Sequence, residues 1–273
     1  MKNISFEFFP TKTTEGSRKL ALVRDRLGIS KPNYFSVTYG AGGTTQQGTL
    51  DTVLSIKQAG FEVAPHLSCI GSSREHLREI LKTYQSHKIN RIVALRGDLP
   101  SGSHDLGELH YANELVEFIR KETGDYFHIE VAAYPEFHPQ AINSKTDFQH
   151  FERKMKAGAD SAITQYFFNL DAYLFFIDDC IKAGIDQAIV PGIMPIVNFT
   201  RLSSFSSMCG AEIPAWIRKR LEQMGDDTDS IKSFGLDVIS QLCEKLIKSG
   251  APGLHFYTLN QSETTLKILD NIG

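Results

Sequence analysis

Eight short segments rich in β-formers recur along this chain, at 4–9 (ISFEFF), 33–39 (NYFSVTY), 61–68 (FEVAPHLS), 91–97 (RIVALRG), 127–135 (FHIEVAAYP), 161–168 (SAITQYFF), 187–193 (QAIVPGI) and 253–259 (GLHFYTL). Helix-patterned stretches separate them: EGSRKLALVRDRLG, TTQQGTLDTVLSIKQAG, SREHLREILKTYQSHKI, LHYANELVEFIRKETG, DFQHFERKMKAGA, LDAYLFFIDDCIKAG and a longer region from Thr200 to Ser249. Strands that alternate with helices predict a parallel sheet covered by helices on its faces, since parallel neighbours need a long crossover. Eight such repeats in 273 residues match the count and size of an α/β (β/α)8 TIM barrel forming one domain over 1–273. A doubly wound open sheet is the alternative. Gly60, Gly124, Gly158 and Gly184 stand where helices should end, and Ser73 and Asp147 where following helices should be capped. IPAWIRKRLEQM and DSIKSFGLDVISQLCEKLIKSG predict at least two helices in the connection before strand eight, an elaboration of the simple repeat.

A barrel gathers the C-terminal ends of its strands around one pocket. Those ends hold Glu7 and Phe9; Thr38 and Tyr39; His66; Arg96 and Asp98; Tyr134, Glu136 and His138; Gln165 and Tyr166; Pro191 and Gly192; Tyr257 and Asn260. Glu7 in SFEFFP admits two readings. Period-two alternation turns it away from the phenylalanines as an ordinary outward carboxylate, or it faces a cleft where its proton matters. Arg96 and Asp98 in LRGDLP could bind an anion or carbonyl and a polar heterocycle, or Asp98 could make a turn. Glu136 and His138 in AAYPEFHP could belong to a site or hold a proline-rich loop, and His66 could be a hydrogen-bonded core histidine. Phe199 in PGIMPIVNFT is either a core aromatic or a planar face for a ring, with Asn198 placing the loop.

Other chemistries find less support. GAGGTTQQGT spells neither GxGxxG nor GxxxxGK and reads as a loop; GxSxG and HExxH are missing, and no metal is predicted. Cys69, Cys180, Cys209 and Cys243 are widely spaced and read as free thiols of a reducing compartment, while His76, His104 and His110 read as helix-surface and loop residues. With 29 basic and 32 acidic side chains mixed throughout, the chain shows no nucleic-acid stripe. Its short apolar runs and N-terminus predict no membrane span and no secretion signal, hence a cytoplasmic protein.

SFEFFPTK, SVTYGAGG, APHLSCI, VALRGDLP, AAYPEFHP, AITQYFF, PGIMPIVNF and HFYTLN occur in the order in which they stand in the methylenetetrahydrofolate reductase family, and the chain resembles that family's bacterial catalytic-domain form from Phe6 to about Asn260. The resemblance implies an FAD-containing (β/α)8 barrel that works by a ping-pong cycle. A reduced nicotinamide, NADH in preference to NADPH, gives hydride to the flavin, and methylenetetrahydrofolate receives it to become 5-methyltetrahydrofolate. It implies that Glu7 is the acid that opens the folate five-membered ring, within a setting its phenylalanines help to build, and that Asp98 tunes both flavin and folate. It further assigns Gln165, Phe199 and Tyr257 to substrate binding, and Thr38, His66, Arg96, Asp98, Tyr134, His138, Asp147, His150, Arg153 and Lys154 to the flavin. The chain departs from the family at Thr11, where a second proline is common, at His150, often Asn, and at Gln261, often Arg. A homo-oligomer is expected by similarity. Independent of the resemblance, a metal-free lyase or isomerase sharing acid-base work between Glu7 and Asp98, or a non-enzymatic flavin-binding scaffold, would also use such a mouth.

Overall fold

A computed structural model describes residues 3–39, 43–98 and 106–273. Among the described residues, nine parallel strands run in the order β7-β6-β5-β4-β3-β2-β1-β9-β8. They are β1 (Ile4–Phe8), β2 (Tyr34–Val37), β3 (Val63–Ser68), β4 (Arg91–Leu95), β5 (His128–Ala133), β6 (Ser161–Thr164), β7 (Ala188–Val190), β8 (Gly192–Ile193) and β9 (Leu254–Tyr257). The two edge strands are halves of the predicted seventh segment, interrupted at Pro191, whose missing N–H cannot join a ladder. β7 pairs with β6 and β8 with β9, so chain continuity through Pro191 closes the sheet into a barrel. The open-sheet alternative is thereby excluded, and the count of eight becomes nine by division of one strand. All the predicted strands are trimmed: most lose residues that turn out of the ladder at the mouth, whereas the third loses only Phe61 and Glu62 and the seventh, apart from Pro191, only Gln187, at the opposite end.

The helices are α1 (Thr14–Gly28), α2 (Gly43–Gln58), α3 (Arg74–Ser86), α4 (Ala112–Thr123), α5 (Ser144–Lys156), α6 (Leu170–Lys182), α7 (Phe199–Cys209), α8 (Ala215–Met224), α9 (Thr228–Lys248) and α10 (Glu263–Ile272). Three helices, α7 to α9, fill the connection before β9. Ser73 caps α3 as expected, accepting from the His76 N–H. Asp147 does not cap α5: the helix starts a turn earlier, where the Asn143 side chain accepts from the Thr146 N–H at 2.9 Å. The loop reading of GAGGTTQQGT is corrected from Gly43 onward, which is helical, while Gly40, Ala41 and Gly42 lie outside the described residues, as does His104. Cys69, Cys180, Cys209 and Cys243 are free. Among the described residues, no helix is long and apolar enough to cross a membrane.

Strand alternation divides the interior into two compartments. Ile4, Phe6 and Phe8 of β1 join the main core between sheet and helices, where Phe8 stacks on Phe35 and Phe6 lies against Phe256. The intervening Ser5 and Glu7 share the opposite face with Tyr34, Ser36, His255 and Tyr257, their register partners. That face lines the barrel axis, which holds a small apolar cluster of Tyr34, Ala64, Val93 and Ile163 and, beside it, an unusual charge. Glu130 is 2% exposed, paired with Arg91 at 2.7 Å, and accepts from the Tyr34 hydroxyl at 2.7 Å.

The seam at Pro191 depends on one glycine. A Cβ on Gly192 would stand 2.2 Å from the Thr164 carbonyl oxygen and 2.6 Å from the Tyr257 ring, whose hydroxyl crosses the seam to donate to that carbonyl at 2.7 Å. Gly192→Ala must push strand backbone aside, so a loss of about 3 kcal/mol is expected, the upper range for overpacking. Urea unfolding checks it; a midpoint equal to wild type contradicts this closure.

Candidate active site at the barrel mouth

Glu7 sits one residue from the end of β1 on the axial face, its side chain 11% exposed. Its Oε2 lies 3.3 Å from His66 Nε2 and 3.7 Å from His255 Nε2, and neither nitrogen has a hydrogen-bond partner. The reading of His66 as a hydrogen-bonded core histidine is corrected accordingly: its nitrogen faces Glu7 unsatisfied. Burial holds the His66 imidazole below its usual pKa, against the opposing pull of Glu7, which keeps the ring neutral. The supposition that the SFEFFP phenylalanines surround Glu7 is also corrected. Phe6 and Phe8 face the helices, and Phe9 is exposed.

The segment after Glu7 is fastened from β9. Thr258 Oγ1 donates to the Glu7 carbonyl at 2.6 Å. The Asn260 amide replaces a ladder pair, accepting from the Phe9 N–H at 2.9 Å and donating to the Phe9 carbonyl at 3.1 Å. Leu259 and Asn260 both take left-handed backbone, with φ of 53° and 56°. This costs energy at leucine, and such strain is characteristic of functional loops.

Across the mouth, the ends of β4 and β5 form a second group. Arg96 donates to Gln140 Oε1 at 2.7 Å, drawing the loop after β5 toward β4. The Asp147 carboxylate accepts from the His138 N–H at 2.9 Å, and His138 Nδ1 accepts from the Gln140 N–H at 3.1 Å. Burial, ahead of the neighbouring charges, lowers the His138 pKa. The neutral ring therefore carries its hydrogen on Nε2. Tyr134 meets His138 edge-on at 4.7 Å, and its phenol is pushed up to about 12 by burial, reinforced by Asp147 and Asp98. Lys154 donates to the Ala132 carbonyl; desolvation, opposed by Asp147, lowers its ammonium to about 8. Asp98 is exposed at the rim, and His150 and Arg153 are exposed on α5, 3.5 Å apart.

Tyr257 connects the two groups. Its ring lies 6.3 Å from Tyr166, and its phenol is raised first by burial and then by Glu7, Tyr134, Cys209 and Tyr166. A narrow cleft at this junction is lined by Tyr134, Pro135, Glu136, Gln165, Tyr166 and Cys209. Glu136 closes one wall by accepting from the Glu212 N–H at 2.7 Å, so it acts as a loop tie. A roomier cavity of about 240 Å³ between α1 and α2 has Thr11 on its wall and none of the residues expected to bind substrate or flavin. Among the described residues, no group of three or more His, Cys, Asp or Glu is arranged to hold a metal ion.

The sequence model of the family described as methylenetetrahydrofolate reductase matches residues 1–273. The chain belongs to that family. The 5,10-methylenetetrahydrofolate reductase of Escherichia coli (strain K12) is 43% identical over 272 residues, covering 99% of this chain and 90% of that protein. The 5,10-methylenetetrahydrofolate reductase of Pectobacterium carotovorum is 42% identical, with the same shares. A probable methylenetetrahydrofolate reductase (NADH) of Oryza sativa subsp. japonica is 38% identical over 98% of this chain and 48% of its own length. Among solved structures, an uncharacterized protein from Clostridium thermocellum that binds 5-methyl-5,6,7,8-tetrahydrofolic acid superposes with a TM-score of 0.68 at 14% identity, over 99% of this chain and 94% of that one. That likeness bears on the fold.

In this reductase, two of the singled-out residues stand apart from both groups. Thr38 continues the ladder past β2, its N–H donating to the Phe8 carbonyl at 2.9 Å. Phe199 opens α7, half-buried against the main core, with Asn198 capping the helix by accepting from the Arg201 N–H at 2.8 Å. Sequence reasoning passed over His255, although HFYTLN places it two residues before Tyr257 on the same face. It also passed over Ser5, Tyr34, Arg91 and Glu130 beneath it.

Proposed function

We propose that this methylenetetrahydrofolate reductase uses FAD and a ping-pong cycle to reduce 5,10-methylenetetrahydrofolate to 5-methyltetrahydrofolate with NADH, NADPH being the alternative, as one catalytic unit of the cytoplasm. The observation that carries the reading is the mouth itself: a secluded carboxyl, Glu7, across from a separate group containing Arg96, His138, Asp147 and Lys154. The second group suits a dinucleotide. Arg96, Lys154 and Arg153 supply positive charge for a diphosphate without a glycine-rich helix start, and His138 Nε2 and Arg96 supply donors for ring or ribityl oxygens. FAD, when bound, stores the hydride between the two substrates.

The chain's own residues divide the remaining work. Glu7 delivers a proton to the folate as its five-membered ring opens, which makes the one-carbon unit electrophilic. Gln165 and Tyr166 offer the cleft's amide and aromatic edges to the folate ring, with Tyr257 between cleft and acid. Phe199 offers a planar face at the start of α7 for folate or nicotinamide. Asp98 places negative charge at the rim, restraining further negative charge on the flavin and favouring an electron-poor folate. Thr38, His66 and Tyr134 complete the flavin side, and His150 extends it along α5. A homo-oligomer is part of the proposal by likeness to relatives. After incubation with FAD and desalting, the purified protein is expected to keep a visible flavin absorbance band. A protein that stays colourless with added FAD contradicts the flavin reading.

A further inference from the structure

Just past the end of the sheet, one side chain takes the place of a strand beside β1. The ladder between β1 and β9 closes at the pair Glu7 and Tyr257. One further step would give the Phe9 N–H to the Thr258 carbonyl and the Asn260 N–H to the Phe9 carbonyl. Both of those partners are spent inside the turn that follows β9. The Thr258 carbonyl accepts from the Gln261 N–H at 2.9 Å, and the Asn260 N–H donates to Thr258 Oγ1 at 3.2 Å. The Asn260 side chain supplies what they do not. Its Oδ1 accepts from the Phe9 N–H at 2.9 Å and its Nδ2 donates to the Phe9 carbonyl at 3.1 Å, so a side-chain amide, with the same donor and acceptor as a peptide unit, makes the missing pair.

The turn brings that amide into place at a cost. Leu259 and Asn260 follow one another in left-handed backbone, at φ of 53° and 56°, a conformation that asparagine takes more readily than leucine. Such strain persists only where the surroundings hold it. Here the Leu259 side chain packs on the main core, and the Thr258 hydroxyl braces the turn against β1, accepting from the Asn260 N–H and donating to the Glu7 carbonyl at 2.6 Å. On the opposite edge of β1 the Thr38 N–H donates to the Phe8 carbonyl at 2.9 Å, and the next residue, Pro10, has no N–H to offer a neighbour.

We propose that Asn260 is a positioning residue for Glu7: by holding the Phe9 backbone alongside β9, it fixes the end of β1 and with it the place of the Glu7 carboxyl, 3.3 Å from His66 Nε2. This role rests on the acid function proposed for Glu7. A reacting group displaced by about 1 Å loses up to about 100-fold in rate, so loosening the end of β1 slows the folate step. Reduction of the flavin does not use the Glu7 proton and is spared.

Two variants separate the amide from the turn. Asn260→Gly keeps left-handed backbone and removes the amide, whereas Asn260→Asp keeps the acceptor for the Phe9 N–H and loses the donor to its carbonyl. In stopped-flow measurements on the FAD-loaded protein, the glycine variant is expected to lower the limiting rate of flavin reoxidation by methylenetetrahydrofolate about 10- to 100-fold. The half-saturating folate concentration and the rate of flavin reduction by NADH are expected to be unchanged, and the aspartate variant to fall between glycine and wild type. Equal slowing of both half-reactions, or no slowing, overturns the proposal. In a Glu7→Gln background, Asn260→Gly is expected to slow the folate step no further, because its effect passes through the carboxyl already lost; losses that multiply overturn it.

Hydrogen exchange at the Phe9 amide, read by NMR in the FAD-loaded wild-type protein, tests the clamp without any variant. Slow exchange is expected, and exchange as fast as in an unfolded chain overturns the proposal. The two failures are distinguishable: Glu7→Gln slowing both half-reactions alike contradicts the acid function, whereas a fast-exchanging Phe9 amide contradicts the clamp whatever Glu7 does.

Discussion

Glu7→Gln is expected to leave reduction of the flavin by NADH near the wild-type rate and to slow the oxidation of reduced enzyme by methylenetetrahydrofolate roughly 100- to 10,000-fold, the usual worth of a positioned general acid. The asymmetry follows from the site. The Glu7 carbonyl is held by the Thr258 hydroxyl and the Phe9 backbone by the Asn260 amide, contacts that do not involve the Glu7 carboxyl, so the substitution leaves the mouth in shape. Of the residues proposed for the flavin, Arg96, His138, Asp147 and Lys154 gather at the ends of β4 and β5 and on α5, and only His66 touches the Glu7 carboxyl, through a contact that Gln can keep. Gln is nearly isosteric but has no acidic proton to deliver. Equal slowing of both half-reactions in stopped-flow measurements contradicts the assignment.

A loss of stability as large as that of Gly192→Ala is expected from Arg91→Ala. It leaves Glu130, whose side chain is 3% exposed, without its cation; the remaining donors are Tyr34 at 2.7 Å and Ser161 at 3.3 Å. Breaking a buried pair from one side exceeds the worth of the pair, because a charge stays behind in a poor solvent. Arg91 is itself 28% exposed, which moves the expected loss to the low end of the range for buried pairs, about 3 kcal/mol. Urea denaturation with an unchanged slope would report it as a lower midpoint. A loss below about 1 kcal/mol would mean that the pair behaves as a surface salt bridge.

The barrel was legible because its signal is local. Each repeat declares a β-rich run, a helix and a punctuating glycine, and the ends of the runs name the mouth. What escaped is non-local. QAIVPGI reads as one strand, and only the pairing of its halves with different neighbours shows that Pro191 divides it. The region from Thr200 to Ser249 reads as helical, but its division does not: two helices stand out in it, and the serine-rich FTRLSSFSSMC becomes a separate α7 only through its Asn198 cap and its end at Gly210. Alternation correctly sends Glu7 away from Phe6 and Phe8, yet it does not say that the other face is a closed axis where His66, His255 and Tyr34 converge from β3, β9 and β2. Asp147 illustrates the same limit: its residue type suggested a cap, and its position relative to His138 makes it a loop anchor.

The central claim is that one mouth passes hydride from nicotinamide to folate by way of a flavin, and anaerobic spectroscopy tests it most directly. FAD-loaded protein is reduced with NADH, separated from free nicotinamide, and mixed with methylenetetrahydrofolate. The account predicts loss of the oxidised flavin band in the first step and its return in the second, with 5-methyltetrahydrofolate formed in equal amount to the flavin reoxidised. A flavin that NADH does not bleach, or that stays reduced in the presence of methylenetetrahydrofolate, contradicts it.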